Sequence, residues 1–190
     1  MRHAFSTLSR RAASFRSAAF STLPRTWGRP AEGPTFHPDF PTEFRPSPIA
    51  GVGWWATVDI PKGTLLRRLS VLDGSLVRFK SREDLEEAGW DLDDAVNYGI
   101  GHWRDPSAIF FLNPGTAVNH ADKTREAAVM YNHDEPNVLE LYTTKDVKAG
   151  EEMLCDYDRD YAPCPWYDEL QRSRGNVPLS QLNAEIEKMY

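Results

Sequence analysis

A chain of 190 residues with 41% apolar side chains holds one ordinary domain and little more. Its apolar runs all fall short of a membrane span, so no membrane insertion is expected, and two cysteines, Cys155 and Cys164, exclude a disulfide scaffold and a four-cysteine zinc site. The net charge of −6 averages two unlike parts: residues 1–31 hold six arginines and no acid, and the rest sets 16 Lys/Arg against all 28 Asp/Glu, a net of −12. So acidic a globular part repels phosphate, which argues against direct nucleic-acid binding and for a basic protein or lysine-containing peptide as partner.

In chain order, residues 1–31 are rich in Arg, Ser and Ala, and Phe5, Leu8, Ala12, Phe15 and Ala19 recur at helical steps on one face. Arg-rich, Ser-rich, acid-free and amphipathic describes an organelle transit peptide, with mitochondrion and plastid both open; read as a plain disordered basic tail, the same stretch leaves nucleus or cytoplasm. Residues 28–50 carry six prolines, which forbid a helix and a central strand. Residues 32–48 therefore read as a linker, or as an extended arm laid over the domain by Phe36, Phe40 and Phe44.

The domain proper is expected over 49–162. GVGWWATVDI and TLLRRLSVL are β-prone runs separated by a Pro-Lys-Gly turn. A dinucleotide fingerprint at Gly51-x-Gly53 fails on context, because TVDIPKG follows where a helix is needed. SREDLEEAGW opens with a capping box, Ser81-x-x-Asp84, and predicts a short acidic helical insert whose charged face is solvated. Ala108–Leu112 is a wholly apolar strand candidate. Two further runs, AAVMY and VLELYTT, flank the turn NHDEPN and predict paired strands. A Lys-Ala-Gly-Glu-Glu turn then feeds Met153-Leu154-Cys155-Asp156-Tyr157. Residues 163–190 predict two short helices, Trp166–Arg174 and Pro178–Met189, separated by Gly175-Asn176.

VNHADKT followed by KDVKAGEEMLCDYD resembles the C-terminal half of a SET domain, the lysine methyltransferase module, and GVGWWA is similar to that family's N-terminal Gly-x-Gly-x-x-Ala signature. The motifs stand in family order across residues 48–162. The resemblance implies a mostly β fold with short helices (α+β), built as several small curved sheets with a helical insert and C-terminal helices. It implies S-adenosyl-L-methionine as cofactor, methyl transfer to a lysine side chain of a protein, and a short form that closes its lysine channel with a C-terminal aromatic. Carried over residue by residue, it places Tyr157 as the aligning catalytic residue and Gly51, Gly53, Trp54, Asn119 and His120 around the cofactor. Cys155, Tyr161 and Trp166 are placed at the substrate channel, Trp166 for its area, and a small Cys155 predicts room for more than one methylation.

Such a transfer is one nucleophilic displacement. It requires alignment, a dry channel and an unprotonated amine, whose formation at neutral pH costs roughly 4–5 kcal/mol from a reference pKa near 10.4. No metal is required, and His120, His133, Asp122 and Asp134 match no ligand spacing. NHADKTRE departs from the family's Asn-His-Ser-Cys-x-Pro-Asn, and the Arg common before the Asn is absent. These departures keep open a second reading, an inactive SET-like module that binds a protein or peptide. The sequence leaves the oligomeric state open.

Overall fold

The computed structural model describes residues 39–112, 118–121 and 124–182, the side chains of Asp93 and Asp94 apart. The expected transit segment, Phe36, Asp122 and most of the second C-terminal helix lie outside the described residues.

The strands form three small antiparallel sheets. Strands β1 (Thr42–Pro46) and β2 (Val52–Ala56) make a two-stranded ribbon. Strands β3 (Leu65–Ser70), β7 (Val129–Asn132) and β8 (Val138–Thr143) pair with β8 in the middle. Strands β4 (Leu76–Phe79), β5 (Ile100–His102) and β6 (Asp105–Leu112) pair with β6 in the middle. Helices α1 (Arg82–Glu87) and α2 (Leu92–Ala95) form the acidic insert between β4 and β5. Helices α3 (Tyr157–Asp160) and α4 (Pro165–Ser173) follow the last strand, and a 3-10 turn covers Leu179–Gln181.

The β6 strand explains why the domain has two cores. Its apolar run is buried on both faces, and the two-residue strand period divides it. Ala108, Phe110 and Leu112 enter a main core with Trp54, Leu69, Leu141 and Met153. Ile109 and Phe111 enter a second core with Leu85, Trp90, Val96, Tyr167 and Leu170, where the Trp90 and Phe111 ring centroids are 4.5 Å apart. As the capping box predicts, the Ser81 side chain accepts from the N–H of Asp84 at 3.2 Å, and only Leu85 of α1 is buried, which leaves the acids of that helix solvated.

Three features add detail that the sequence did not provide. Part of the proline-rich arm is a strand: β1 is an edge strand with Pro46 at its end, and Phe44 stacks on Trp54 at 6.4 Å. The Glu152–Cys155 segment makes isolated bridges only, because the Asp156 side chain accepts from the N–H of Asp158 and starts α3 at Tyr157. Gly101 on β5 has no room for a Cβ, since the Ala162 carbonyl occupies that place while Ala162 N–H donates to Gly101 O at 3.1 Å. That close approach draws the chain after α3 against β5.

Candidate active site

The site is assembled by one short segment. Residues 154–155 run in parallel between the Asn119–Ala121 stretch and the start of β7. Cys155 N–H donates to Asn119 O at 3.1 Å, Ala121 N–H donates to Cys155 O at 2.8 Å, and the N–H groups of Ala128 and Val129 both donate to Leu154 O. Two sequence motifs thus share one backbone ladder, which fixes Asn119 and His120 relative to Tyr157.

Asp156 then turns the chain into α3. Tyr157 opens that helix and Tyr161 closes it, four residues apart on one face, so their rings stack at 4.6 Å and 13°. The His120 ring lies 5.0 Å from Tyr157 on another side. His120 Nδ1 accepts from the backbone N–H of Tyr157 at 3.2 Å, which leaves the ring proton of a neutral His120 on Nε2. The Tyr157 O–H donates to Val118 O at 2.6 Å. Burial, then the neighbouring Cys155 and Tyr131, hold the Tyr157 phenol well above its usual range. Burial does the same to the fully enclosed Cys155 thiol and to the Tyr161 phenol. All three groups stay neutral at physiological pH.

Tyr131, on β7, meets Tyr161 edge-on at 5.7 Å and extends this aromatic wall. Sequence reasoning missed it as a site residue; its inward place in the alternation of AAVMY was the available signal. Beyond Tyr131 a cavity of about 300 Å³ opens among Trp103, Met130, His133 and Arg159.

On the other side of Asn119 lies the glycine loop. Ser47 N–H donates to Gly51 O at 3.0 Å, and Gly51 takes φ 47°, the left-handed region a glycine tolerates. A side chain at Gly53 is excluded because the Glu152 carboxylate fills the space of a Cβ. Asn119 Nδ2 donates to Glu152 Oε1 at 2.8 Å and reaches the Ala50 and Val52 carbonyls at 3.1 and 3.3 Å.

The structure therefore brings together Gly51, Gly53, Asn119, His120, Cys155, Tyr157 and Tyr161. Two expected residues stand elsewhere. The Trp54 indole is fully buried in the main core, donating to Thr42 Oγ1 at 2.7 Å, because strand alternation turns Gly53 and Trp55 to the Glu152 side instead. Trp166 packs on the second core, with Nε1 donating to Ser107 O at 3.0 Å. The part of the C-terminal segment that packs on α3 is the turn at Leu179–Gln181. Among the described residues no group of three His, Cys, Asp or Glu side chains is arranged to hold a metal.

The family model described as the SET domain matches residues 51–158, more than half of the chain. The chain belongs to the SET-domain family. The match spans both motifs that the backbone ladder joins. Among solved structures, the SET domain here is similar to a candidate histone methyltransferase of Plasmodium falciparum, at 17% identity over 61% of this chain and 91% of that one, with a TM-score of 0.44. It is also similar to Chaetomium thermophilum Polycomb Repressive Complex 2 in an apo form, at 20% identity over 70% and 16% with a TM-score of 0.47. A third match is that complex in an autoinhibited conformation bound to S-adenosylmethionine, at 20% identity over 70% and 17% with a TM-score of 0.44. The chain thus spans only about a sixth of the Polycomb chains. No curated protein matches it.

The residues around Asn119 fit the cofactor. The cradle offers acceptors, namely the Glu152 carboxylate and Asn119 Oδ1, which takes no hydrogen bond from the described residues, and the ligand's ammonium and sulfonium are both cationic.

Proposed function

We propose that this SET domain methylates lysine in a basic protein or peptide, with Tyr157 as the aligning residue and Asn119, His120 and the Gly51–Gly53 loop holding the cofactor. The single observation that carries the reading is the Cys155 ladder, which ties the Asn-His motif to the Asp-Tyr motif. S-adenosylmethionine, when bound, supplies an electrophilic methyl on a sulfonium. The chain supplies geometry and a dry wall. The hydrogen of Tyr157 is committed to Val118 O, so its oxygen turns lone pairs outward, where they orient polarised C–H and N–H groups without acting as a nucleophile. Cys155, Tyr157 and Tyr161 stay neutral, so none of them serves as a base. The incoming amine sheds its proton to solvent, helped by desolvation and by nearby positive charge. Alignment does the rest.

The lysine arrives from the side of Tyr131 and Tyr161, where the cavity beside Met130 gives a substrate segment room. Cys155 is smaller than an aromatic residue in its place, and the product accordingly extends beyond monomethyl-lysine. Residues 1–31 direct the protein to an organelle, and its substrates are then organelle proteins.

The test is transfer of labelled methyl from S-adenosylmethionine to a panel of basic proteins, with Tyr157→Phe alongside. Transfer by the wild type and a loss of about 100-fold or more in the variant, at unchanged cofactor affinity, is expected. A folded protein that binds no cofactor and transfers nothing would leave the peptide-binding module as the reading.

A further inference from the structure

Glu152 stands in the Gly-Glu-Glu turn of the quoted motif and is not among the residues assigned to the site from the sequence, yet its carboxylate joins three separate segments. Oε1 accepts from Asn119 Nδ2 at 2.8 Å, Oε2 accepts from Ser47 Oγ at 2.9 Å, and the group lies against Gly53 where a Cβ would overlap it. Ser47 Oγ in turn accepts from Ile49 N–H at 3.0 Å, so the start of the glycine loop hangs on the same carboxylate.

The orientation of the Asn119 amide follows from its neighbours. Glu152 Oε1 and the carbonyls of Ala50 and Val52 are acceptors only, so the group facing them is the NH₂. Oδ1 must turn the other way, and it takes no hydrogen bond from the described residues. An oxygen held so accepts N–H donors and has nothing to offer a carboxylate or a phosphate. Glu152 also has no Lys or Arg partner among the described residues, so its brace consists of the neutral donors Asn119 and Ser47.

We propose that Glu152 is a positioning residue for Asn119: it holds the amide with Oδ1 turned outward to accept from the ammonium group of the cofactor's amino-acid part. The inference rests on the methyl-donor reading above and adds the residue that orients the amide. In this chain the carboxylate is braced by neutral donors, Asn119 and Ser47, and the glycine at 53 is what admits it.

The experiment is calorimetric binding of two ligands, S-adenosylhomocysteine and its des-amino analogue, with the ammonium replaced by hydrogen. Wild type is expected to prefer the amine by about tenfold or more, the size of one hydrogen bond to a charged group. Glu152→Ala and Glu152→Asp, which removes one methylene and keeps the charge, should both reduce that preference to about threefold or less. Glu152→Gln, whose Oε1 still accepts from Nδ2, should restore it. A purely structural role weakens both ligands equally and leaves the preference intact in every folded variant, which would overturn the proposal; so would a wild type with no preference. If Glu152→Ala does not fold, the contrast between Asp and Gln decides alone. A wild type that binds neither ligand instead overturns the methyl-donor reading itself.

Discussion

The two faces of β6 bury the same kind of side chain and end in opposite ways, and two tyrosines show the contrast. Tyr167, on α4 over the second core, donates from its hydroxyl to Ala95 O at 2.7 Å and accepts from Gly99 N–H at 2.9 Å, so both of its hydrogen-bonding roles are spent on structure. Tyr157, at the rim of the main core, gives its one hydrogen to Val118 O and is half-buried between His120 and Tyr161. One phenol spends both hydrogen-bonding roles on structure, and the other spends only its hydrogen.

The sharpest way to break this comparison is to remove each hydroxyl in turn. Tyr157→Phe should lose about 100-fold or more in transfer with little change in stability. Tyr167→Phe should do the reverse, because it leaves a buried N–H and a buried carbonyl unpaired, at a cost of about 1–3 kcal/mol. Denaturant unfolding and single-turnover rates on both variants check this. A Tyr167→Phe enzyme that keeps its stability and loses its rate would show that the helical half takes part in catalysis.

Acid should act on the same division. His133 is buried beside the site, its Nε2–H donates to Asp160 O at 2.7 Å, and its ring meets that of the enclosed His102 at 4.7 Å. Burial, then the neighbouring His102, lowers the His133 pKa to about 4 from an ordinary 6.5. Below pH 6.5 the unfolded chain binds a proton that the fold refuses. The stability that neutral His133 contributes is therefore full above pH 6.5 and is lost as pH falls through about 4. Its size is about 3 kcal/mol. Asp168 on the helical side has the opposite sign: burial raises its pKa, so its contribution is present at low pH and lost on the way up. Asp160 shares that sign and offsets part of the His133 loss, with Arg159 paired to it at 2.7 Å. Unfolding midpoints between pH 7 and 4 should fall, and His133→Phe should flatten the slope. A slope unchanged by the substitution would move the acid sensitivity elsewhere.

Much of this was legible in the sequence wherever a local pattern carried it. The apolar runs became strands, Ser81-x-x-Asp84 became a helix start, and the Asn-His and Asp-Tyr motifs met. What escaped depended on partners far along the chain. Glu152 stands in a Gly-Glu-Glu turn where acids are ordinary, and its partners are 33 and 105 residues away. Trp54 and Trp55 are neighbours of one type, and only the strand register decides which indole enters the core. Tyr161 and Trp166 were both channel candidates in the sequence, and only the helix that Asp156 starts separates them, stacking Tyr161 on Tyr157 and leaving Trp166 to pack on the second core. The β1 strand hid in a proline-rich stretch because an edge strand tolerates what a central strand does not.

The smallest expected effect tests whether the two halves are independent. Ser81 caps α1 through one hydrogen bond to Asp84 N–H, and Asp84 Oδ2 accepts from Lys80 N–H at 2.8 Å, so the helix start is braced from both sides. Ser81→Ala removes the first brace and keeps the second. With Leu85 as the only buried residue of α1, the loss should stay near the ordinary worth of a cap, about 1 kcal/mol. It should lower the urea midpoint without changing its slope, and it should leave the affinity for S-adenosylhomocysteine as it was. A cap loss that also weakens that ligand would mean that the second core transmits strain through β6 to Asn119 and Glu152, and the division drawn between the two faces of that strand would fail.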